Sequence, residues 1–325
     1  MEAAGRTATI ERGPGLSSRR DVARMFLVLL AITFVLRLPA FFVPVFNSDE
    51  TFVATQAHVI QEGGQLYQDA TDRKPPVVPY IYAATFSALG TSALWSVRVV
   101  AMLAVALTAL LLALEARRRY GARAGWIAGI LFVFAMLALS PQDGQAANFE
   151  VFMLPSMTAA ILLARRRRGV AAGVAVAVAT LTKQTGAATL LPVVYLLARG
   201  RGRRGVGRVA LGFCVPLAAV ALAIGPRQLL YWAVLSNGSY VGVNSGSVAV
   251  LAVFGVMTLG WATVNLPILW KLPQAWRDRR DPSLDGERDT DLWLWLASAV
   301  LSVAVGLRFF GHYYIQLAPP LVLLS

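Results

Sequence analysis

Charged residues are scarce in this 325-residue chain: Lys, Arg, Asp and Glu make up 14% of it, whereas 57% is hydrophobic. So little charge cannot cover the surface of soluble domains of this total size, which excludes a soluble globular protein. Several apolar runs are long enough to cross a bilayer. The sequence therefore predicts an integral membrane protein, an all-α, polytopic helix bundle surrounded by membrane lipids.

Cysteine and lysine are also rare. The single cysteine, Cys214, excludes an intramolecular disulfide and a cysteine-based metal site. Lysine occurs only as Lys74, Lys183 and Lys271, so most of the basic residues behind the formal net charge of +13 are arginines. These arginines stand in short clusters between apolar runs, a pattern that indicates membrane topology and no nucleic-acid partner.

The apolar runs predict about ten membrane spans. The N-terminal residues lack the apolar core and cleavage site of a secretory signal, so the first run is expected to be retained. Residues 169–183 and 187–198 are short for full spans, which need about 20 residues, and favour a tilted or broken hairpin. The predicted spans lie at about 22–45, 95–115, 124–140, 148–164, 169–183, 187–198, 208–225, 248–270, 291–307 and 312–325.

The placement of residues 77–92 decides the topology. If this stretch does not cross the bilayer, the arginine clusters at 117–123, 165–168 and 199–208 share one side with the basic N-terminus. The excess of Lys and Arg in cytoplasmic loops favours that arrangement, with 77–92 as an interfacial helix. We therefore expect a multi-pass plasma (inner) membrane protein. Its parts would be a cytoplasmic tail at 1–23 and a membrane-embedded domain at 24–325, with a catalytic outer loop at 46–94.

The long outer loop begins with the acidic pair Asp49 and Glu50, directly after the first span. A helix cap explains the pair without any function, since Ser48 or Asp49 is an ordinary N-cap and acids are favoured in a first turn. Periodicity alone favours this interpretation. A catalytic role for the carboxylates is the alternative.

Other ionisable groups on the predicted outer side favour the catalytic alternative. Carboxylates gathered with cations at a membrane boundary suit transfer from a lipid-linked phosphate. A carboxylate deprotonates the acceptor hydroxyl, and a cation neutralises the phosphate leaving group. Snorkelling to the interface explains Lys183 equally well. The outer groups are Asp143, Glu150, Arg73, Lys74, Lys183, Arg227, Arg308, His312, Tyr313 and Tyr314.

Five segments, in this order and with this topology, resemble membrane-embedded glycosyltransferases of the GT-C type. The similarity is greatest to the branch of protein O-mannosyltransferases, the lipid A aminoarabinose transferase and the bacterial galacturonosyl transferases of lipopolysaccharide core. It covers most of 24–325 and implies a GT-C-like bundle with outer-face juxtamembrane helices in the first loop. The segments are FNSDETFVATQAHVI, DRKPPVVPYIYAATFSALG, GQAANFEVFMLP, LTKQTG and RFFGHYYIQLAPP.

The resemblance implies roles for individual residues. Asp49 is implied as the general base on the acceptor, with Glu50 as its catalytic partner. For the donor phosphate the resemblance implies Lys74 and Lys183, and the charge that develops on the leaving phosphate adds Arg73 and Arg308 as candidates. For a second acid or acceptor site it implies Glu150, with Asp143 as the weaker candidate. His312, at the predicted outer interface, is a further candidate for a hydrogen bond to sugar or phosphate.

The predicted function is an inverting sugar transfer from a polyprenyl-phosphate donor to a lipid, polysaccharide or protein acceptor on the extracytoplasmic face. No metal-ligand spacing occurs, so no cofactor is certain, and a divalent cation on Asp49, Glu50, Glu150 or His58 is an open alternative. The competing class is a transporter or flippase for a lipid-linked or anionic substrate, favoured by Lys183 in a short hairpin. A non-catalytic scaffold is the third class.

Overall fold

The computed structural model describes residues 18–137, 140–238, 247–278 and 289–325. Within these ranges the chain forms helices and one isolated bridge, between Leu66 and Ala70, and no β-strand. The predicted all-α bundle is confirmed. Most of the predicted cytoplasmic tail and the basic residues Arg279, Arg280 and Arg288 lie outside the described residues.

The helices follow most of the predicted apolar runs, but the single run predicted at 248–270 is broken after Val264, and the run at 312–325 begins as a 3-10 helix. Short 3-10 helices at Leu38–Phe41, Gln184–Thr189 and Gly311–Leu317 and a π-helix at Tyr231–Leu235 join some of them. In chain order the α-helices are α1 (Arg19–Arg37), α2 (Ser48–Gln61), α3 (Val77–Leu89), α4 (Leu94–Tyr120), α5 (Ala122–Ala135), α6 (Pro141–Gly144), α7 (Phe149–Arg165), α8 (Gly169–Thr182), α9 (Leu190–Ile224), α10 (Pro226–Leu230), α11 (Ser247–Val264), α12 (Leu266–Leu269), α13 (Leu272–Asp278), α14 (Thr290–Ala304) and α15 (Ala318–Leu324).

Length and apolarity identify three described helical stretches that can cross a membrane: Arg19–Phe41, Leu94–Tyr120 and Gln184–Ile224. A fourth candidate is the pair Val248–Val264 and Leu266–Asp278, which is bent by 84°. Helices α3, α5, α8 and α14 are apolar but shorter. The count of about ten spans, and the interfacial position of α3, stay predictions.

Helix α9 is two antiparallel helices joined at Gly202, where φ is 55°. A Cβ on Gly205 would lie 2.4 Å from the carbonyl oxygen of Leu197. In a straight helix, residues eight apart are separated by about 12 Å along the axis, so the chain must fold back between them. The two halves correspond to the separate apolar runs predicted at 187–198 and 208–225.

Glycines allow α8 to lie directly against the second half of α9. A Cβ on Gly212 would come within 2.1 Å of the Val170 carbonyl oxygen, and one on Gly173 within 2.3 Å of the Val209 carbonyl oxygen. Close approach through small residues is how helices associate where the surrounding solvent is lipid.

A buried ion pair fixes the start of α2 against α4. Arg98, in the first turns of α4, donates to both carboxylate oxygens of Glu50, at 2.9 and 2.6 Å. Arg98 also donates to the carbonyl oxygens of Ala40 and Pro44, at 2.6 and 3.2 Å. The Glu50 carboxylate in turn accepts from the Ala147 N–H at 2.9 Å. Arg98 and Glu50 are each 1% exposed, so this pair links three segments inside the bundle.

The two ends of the bundle carry different polar contacts. Arg119, at the end of α4, pairs with Asp289 at 2.8 Å, and Arg165, at the end of α7, pairs with Asp291 at 2.5 Å. The Glu50 pair lies at the other end, where α4 and α7 begin. The arginine-rich helix ends therefore meet at one end of the bundle, as the single basic side of the predicted topology requires. The compartment that each end faces stays a prediction.

We expect Gly212→Ala to lower the free energy of unfolding by about 1 to 3 kcal/mol, because the new methyl group overlaps the Val170 carbonyl. Gly207→Ala is the matched control, since a Cβ there meets nothing within 4 Å. It should be neutral or stabilising by up to about 1 kcal/mol, as alanine favours a helix. Thermal unfolding of both variants in detergent measures the difference. Equal melting temperatures would contradict the close approach of α8 and α9.

We expect Arg98→Met to destabilise the protein by about 3 to 5 kcal/mol, because the Glu50 carboxylate would stay buried without its counter-charge. The double variant Arg98→Met with Glu50→Gln should be more stable than Arg98→Met alone. Glutamine carries no charge and keeps an oxygen for the Ala147 N–H. Thermal unfolding of both single variants and the double variant completes the cycle. Additive losses would show that the two side chains do not act as a pair.

Candidate active site

A cavity of about 920 Å³ lies at the end of the bundle that carries Asp49. One part of its wall is charged and another part is apolar. Concave sites with this division suit amphipathic ligands that have a polar head. The charged lining residues are Asp49, Asp72, Arg73, Lys74 and Lys183, and the larger apolar and aromatic ones are Phe52, Tyr231, Trp232, Val234, Val305, Phe310 and Tyr313.

Asp49 lies in the first turn of α2 and is not its N-cap. That position belongs to Asn47, whose side-chain oxygen accepts from the Glu50 N–H at 3.1 Å. The prediction of Ser48 or Asp49 as the cap is wrong, because the Asn47 amide also reaches Asn148 at 3.1 Å and is fixed by that contact. Because Asn47 caps the helix, the Asp49 carboxylate is not needed for capping and faces the cavity.

The structure brings together Asp49 and Lys74, which are far apart in the chain. The Lys74 ammonium lies 3.1 Å from the Asp49 carboxylate and 4.4 Å from the centre of the Phe149 ring. Tyr67, at a positive φ of 73°, donates its hydroxyl to the Lys74 carbonyl oxygen at 2.7 Å. These contacts hold Lys74 at the edge of the cavity, where both charges remain partly exposed.

The charges around Asp49 keep it ionised. Burial raises the pKa of the Asp49 carboxyl, but the charge and hydrogen bond of Lys74 outweigh this effect, with help from His312 and Lys183. The net result is a pKa below the ordinary value for aspartate. Asp49 is thus a carboxylate in the unliganded protein.

Lys183 has a protein partner, Glu150, and does not depend on snorkelling. It ends α8 and forms an ion pair with Glu150, in the first turn of α7. The Lys183 ammonium also lies 3.8 Å from the centre of the Tyr313 ring. Glu150 is 1% exposed, so its carboxylate compensates the lysine from beneath the cavity wall.

Glu50 lies outside the lining of this cavity, although it is adjacent to Asp49 in the sequence. Its carboxylate is occupied by Arg98 and by the N–H groups of Ala147 and Phe46. This environment suits a structural anion that positions α2, whereas the resemblance implied a catalytic partner. Sequence reasoning missed Arg98, for which the available signal was a single arginine near the start of an apolar run.

Asp143 and His312 form a second pair, outside the cavity lining. The Asp143 carboxylate accepts from the His312 N–H at 2.7 Å and lies 3.1 Å from Nδ1 of its ring. Ser140 donates to the same carboxylate at 2.7 Å. Burial raises the pKa of Asp143, but the hydrogen bonds lower it by more than burial raises it. The net shift of the Asp143 pKa is therefore downward. The ring of Phe310, a cavity residue, stacks on His312.

The remaining predicted residues divide between the cavity and its surroundings. Arg73 lines the cavity, and its carbonyl oxygen accepts from Asn237 at 3.1 Å and from Gln184. Arg308 lies outside the lining, between Leu307 and Phe309, which have positive φ values of 50° and 49°.

His58 stacks on Phe86, away from Asp49. Among the described residues, no three His, Cys, Asp or Glu side chains are grouped as metal ligands, so Asp49, Glu50, Glu150 and His58 do not converge.

A second groove, of about 390 Å³, adjoins the first cavity at Asp49. Its other lining residues are Ser48, Thr51, Phe52 and Thr55, all on α2. Asp49 and Phe52 line both spaces. The carboxylate therefore lies between a large cavity with cations and a smaller groove lined by hydroxyl groups and an aromatic ring.

Comparison with known proteins gives a family model and a solved structure. Residues 73–232 match the model described as dolichyl-phosphate-mannose-protein mannosyltransferase. No curated protein sequence matches the chain. The crystal structure of ArnT from Cupriavidus metallidurans in the apo state is similar in fold, with a TM-score of 0.67 and 19% sequence identity. The similarity covers 94% of this chain and 59% of ArnT, so the chain spans little more than half of that relative.

The family match includes Lys74, Glu150 and Lys183, whereas Asp49 and His312 lie on either side of the matched residues. The chain thus has the GT-C fold, and its resemblance to the GT-C type of membrane glycosyltransferase is confirmed.

Proposed function

We propose that this chain transfers a sugar from a polyprenyl-phosphate donor to a hydroxyl group of an envelope acceptor, on the extracytoplasmic face. One observation carries the proposal: Asp49 borders both the cavity that contains Lys74 and Lys183 and the adjoining groove. A carboxylate between a cationic cavity and a hydroxyl-lined groove can reach groups bound on either side. The family description supports a phosphate-linked sugar donor.

The large cavity would hold the donor. Lys74, Lys183 and Arg73 supply positive charge for its phosphate, and guanidinium or ammonium contacts to phosphate oxygens are among the strong hydrogen bonds. The prenyl chain would leave along the apolar wall formed by residues such as Trp232 and Val234. The acceptor would occupy the groove, where Ser48 and Thr51 can hydrogen-bond to a sugar or polyol.

The reaction is a single displacement with inversion. Asp49 takes the proton of the acceptor hydroxyl, whose oxygen forms a bond to C1 of the sugar. The bond between C1 and the phosphate oxygen breaks, and its electron pair leaves with the polyprenyl phosphate. Lys74 and Lys183 stabilise the negative charge that develops on this leaving group, which lowers the barrier more than it stabilises the bound substrate.

Lys74 couples donor binding to the basicity of Asp49. In the unliganded protein the Lys74 ammonium is paired with Asp49 at 3.1 Å. An incoming phosphate competes for the same ammonium. The pKa of Asp49 then rises toward its ordinary value, because the charge and hydrogen bond of Lys74 are the main causes of its lowering. A base with a higher pKa accepts a proton more readily.

We expect Asp49→Asn to reduce sugar transfer by about 100-fold or more, the usual range for loss of a general base. Lys74→Ala should also reduce it, because the leaving phosphate loses a counter-charge. The assay is transfer of radiolabelled sugar from a polyprenyl-phosphate donor pool in membranes, at matched expression. Glu62→Gln, an exposed carboxylate just after α2, is the control and should retain wild-type transfer.

Two outcomes would contradict the proposal. If transfer is present and Asp49→Asn retains it, Asp49 is not the base. If neither wild type nor variants transfer sugar while the purified protein is folded, the transporter or scaffold alternative is favoured. The buried pair of Lys183 and Glu150 would then be the first place to test for substrate or ion movement, since paired charges in such positions mark transport paths.

We expect Lys74→Met to move the acid limb of the pH profile of kcat/KM to higher pH. The limb reports the pKa of the base in the free enzyme. In the wild type, Lys74 lowers the pKa of Asp49, so activity persists below the ordinary aspartate pKa of about 3.9 as long as the protein is folded. Without Lys74, burial dominates and Asp49 becomes protonated at a higher pH. Lys271→Met, at a distance from the site, should leave the limb unchanged. An unshifted limb in Lys74→Met would contradict the coupling.

A further inference from the structure

We propose that the opposite, arginine-rich end of the bundle binds the phosphate of an anionic phospholipid. The site is a cavity of about 260 Å³ where the last turns of α4 and α7 meet α9 and the first turn of α14. It shares no residue with the candidate active site. Its lining residues are Arg119, Ala164, Arg165, Arg167, Tyr195, Leu196, Arg199 and Asp291.

The base of this cavity is a buried network of alternating charges. Arg165 pairs with Glu115 at 2.8 Å and with Asp291 at 2.5 Å. Arg119 pairs with Glu115 at 3.0 Å and with Asp289 at 2.8 Å. The side chains of Glu115 and Asp291 are 4% exposed, and that of Arg165 is 9% exposed. The network therefore holds two guanidinium groups in fixed positions at the cavity wall.

Two further arginines, Arg167 and Arg199, lie at the rim. Arg167 follows α7 in the left-handed region, at a φ of 59°. Its guanidinium fills the space beside Gly200, where even a Cβ would overlap it, so the side chain reaches across to the turn in α9. Arg199 donates to the Tyr195 hydroxyl at 2.7 Å. Arg167 and Arg199, which come from two separate parts of the chain, thus lie at the same opening.

Charge and shape favour a phosphate-bearing ligand. Among the described residues, the four lining arginines outnumber the three carboxylates Glu115, Asp289 and Asp291, which pair with Arg119 and Arg165. Arginine is the preferred partner of phosphate because its planar fork matches two phosphate oxygens at once. A volume of about 260 Å³ equals that of roughly nine liquid waters at about 30 Å³ each, which accommodates a phosphate with part of its headgroup.

The position of the cavity favours a lipid over a soluble phosphate. It lies at the ends of apolar helices, where lipid headgroups contact a membrane protein, and Ala164 and Leu196 add apolar surface to its lining. Basic pockets between membrane helices bind anionic headgroups in this way. The arginine run at 165–168 would then have a binding function in addition to its effect on topology.

The test measures lipid binding of the purified full-length chain in a non-ionic detergent. Native mass spectrometry and thermal unfolding would follow a titration with phosphatidylglycerol, with phosphatidylcholine as the zwitterionic reference. The test variant is Arg167→Ala with Arg199→Ala. The matched control is Arg201→Ala with Arg203→Ala, which removes the same charge from exposed positions outside the cavity. Neither measurement depends on sugar transfer.

We expect phosphatidylglycerol, and not phosphatidylcholine, to bind and stabilise the wild type and the control. The test variant should need about tenfold more lipid for the same response, as expected for loss of charge-assisted contacts. Three results would overturn the proposal. These are equal responses of the test and control variants, no effect of phosphatidylglycerol on folded wild type, and full competition by millimolar inorganic phosphate, which would indicate a soluble ligand.

Discussion

The ion pair between Arg98 and Glu50 is the constraint on which the Asp49 end of this bundle depends. A buried guanidinium and carboxylate are stable in an apolar interior only when nearly all their hydrogen-bonding atoms have partners. Backbone groups of Ala40, Pro44 and Ala147 supply those partners, so three chain segments must meet at one point. The start of α2 is thereby fixed relative to α4 and to the loop before α7.

This pair also determines where Asp49 points. Adjacent residues of a helix project about 100° apart around its axis. With Glu50 directed inward to Arg98, Asp49 is turned toward the cavity and toward Lys74. The two neighbouring carboxylates thus have different environments, because that of Glu50 is buried and that of Asp49 is partly exposed. The proposed mechanism accordingly assigns the chemistry to Asp49 and the positioning of α2 to Glu50.

The sequence predicts the bundle well because apolar runs and arginine clusters are local signals. The helix limits differ from the apolar runs by a few residues, and the arginine-rich ends do meet at one end of the bundle. The family resemblance implied separate roles for Asp49 and Lys74 but not the contact between them, since no local pattern relates residues so far apart. Whether each short apolar helix crosses the bilayer depends on the surrounding lipid as well as on the chain.

Contacts between distant side chains are what sequence reasoning missed. An arginine in an apolar run requires a partner, yet several carboxylates lie at the same end of the bundle, and nothing in the spacing selects Glu50 for Arg98. The pairing of Asp143 with His312 joins residues from opposite halves of the chain in the same way. Even the cap of α2 was settled by tertiary contact, because Asn47 and Ser48 are both good caps and only Asn47 also reaches Asn148.

The resulting electrostatics suit a reaction that must exclude water. Lys74 is neutralised by Asp49, and Lys183 by Glu150, so these two lysines of the cavity already have anionic partners when the cavity is unliganded. In the proposed reaction, a phosphate binds by replacing a carboxylate at Lys74. Asp49 is a weak base while it is paired with Lys74. It becomes a stronger base once the phosphate has replaced it as the partner of Lys74. Because the base gains strength only after the donor has filled the cavity, an acceptor hydroxyl is deprotonated when the sugar that it attacks is already bound.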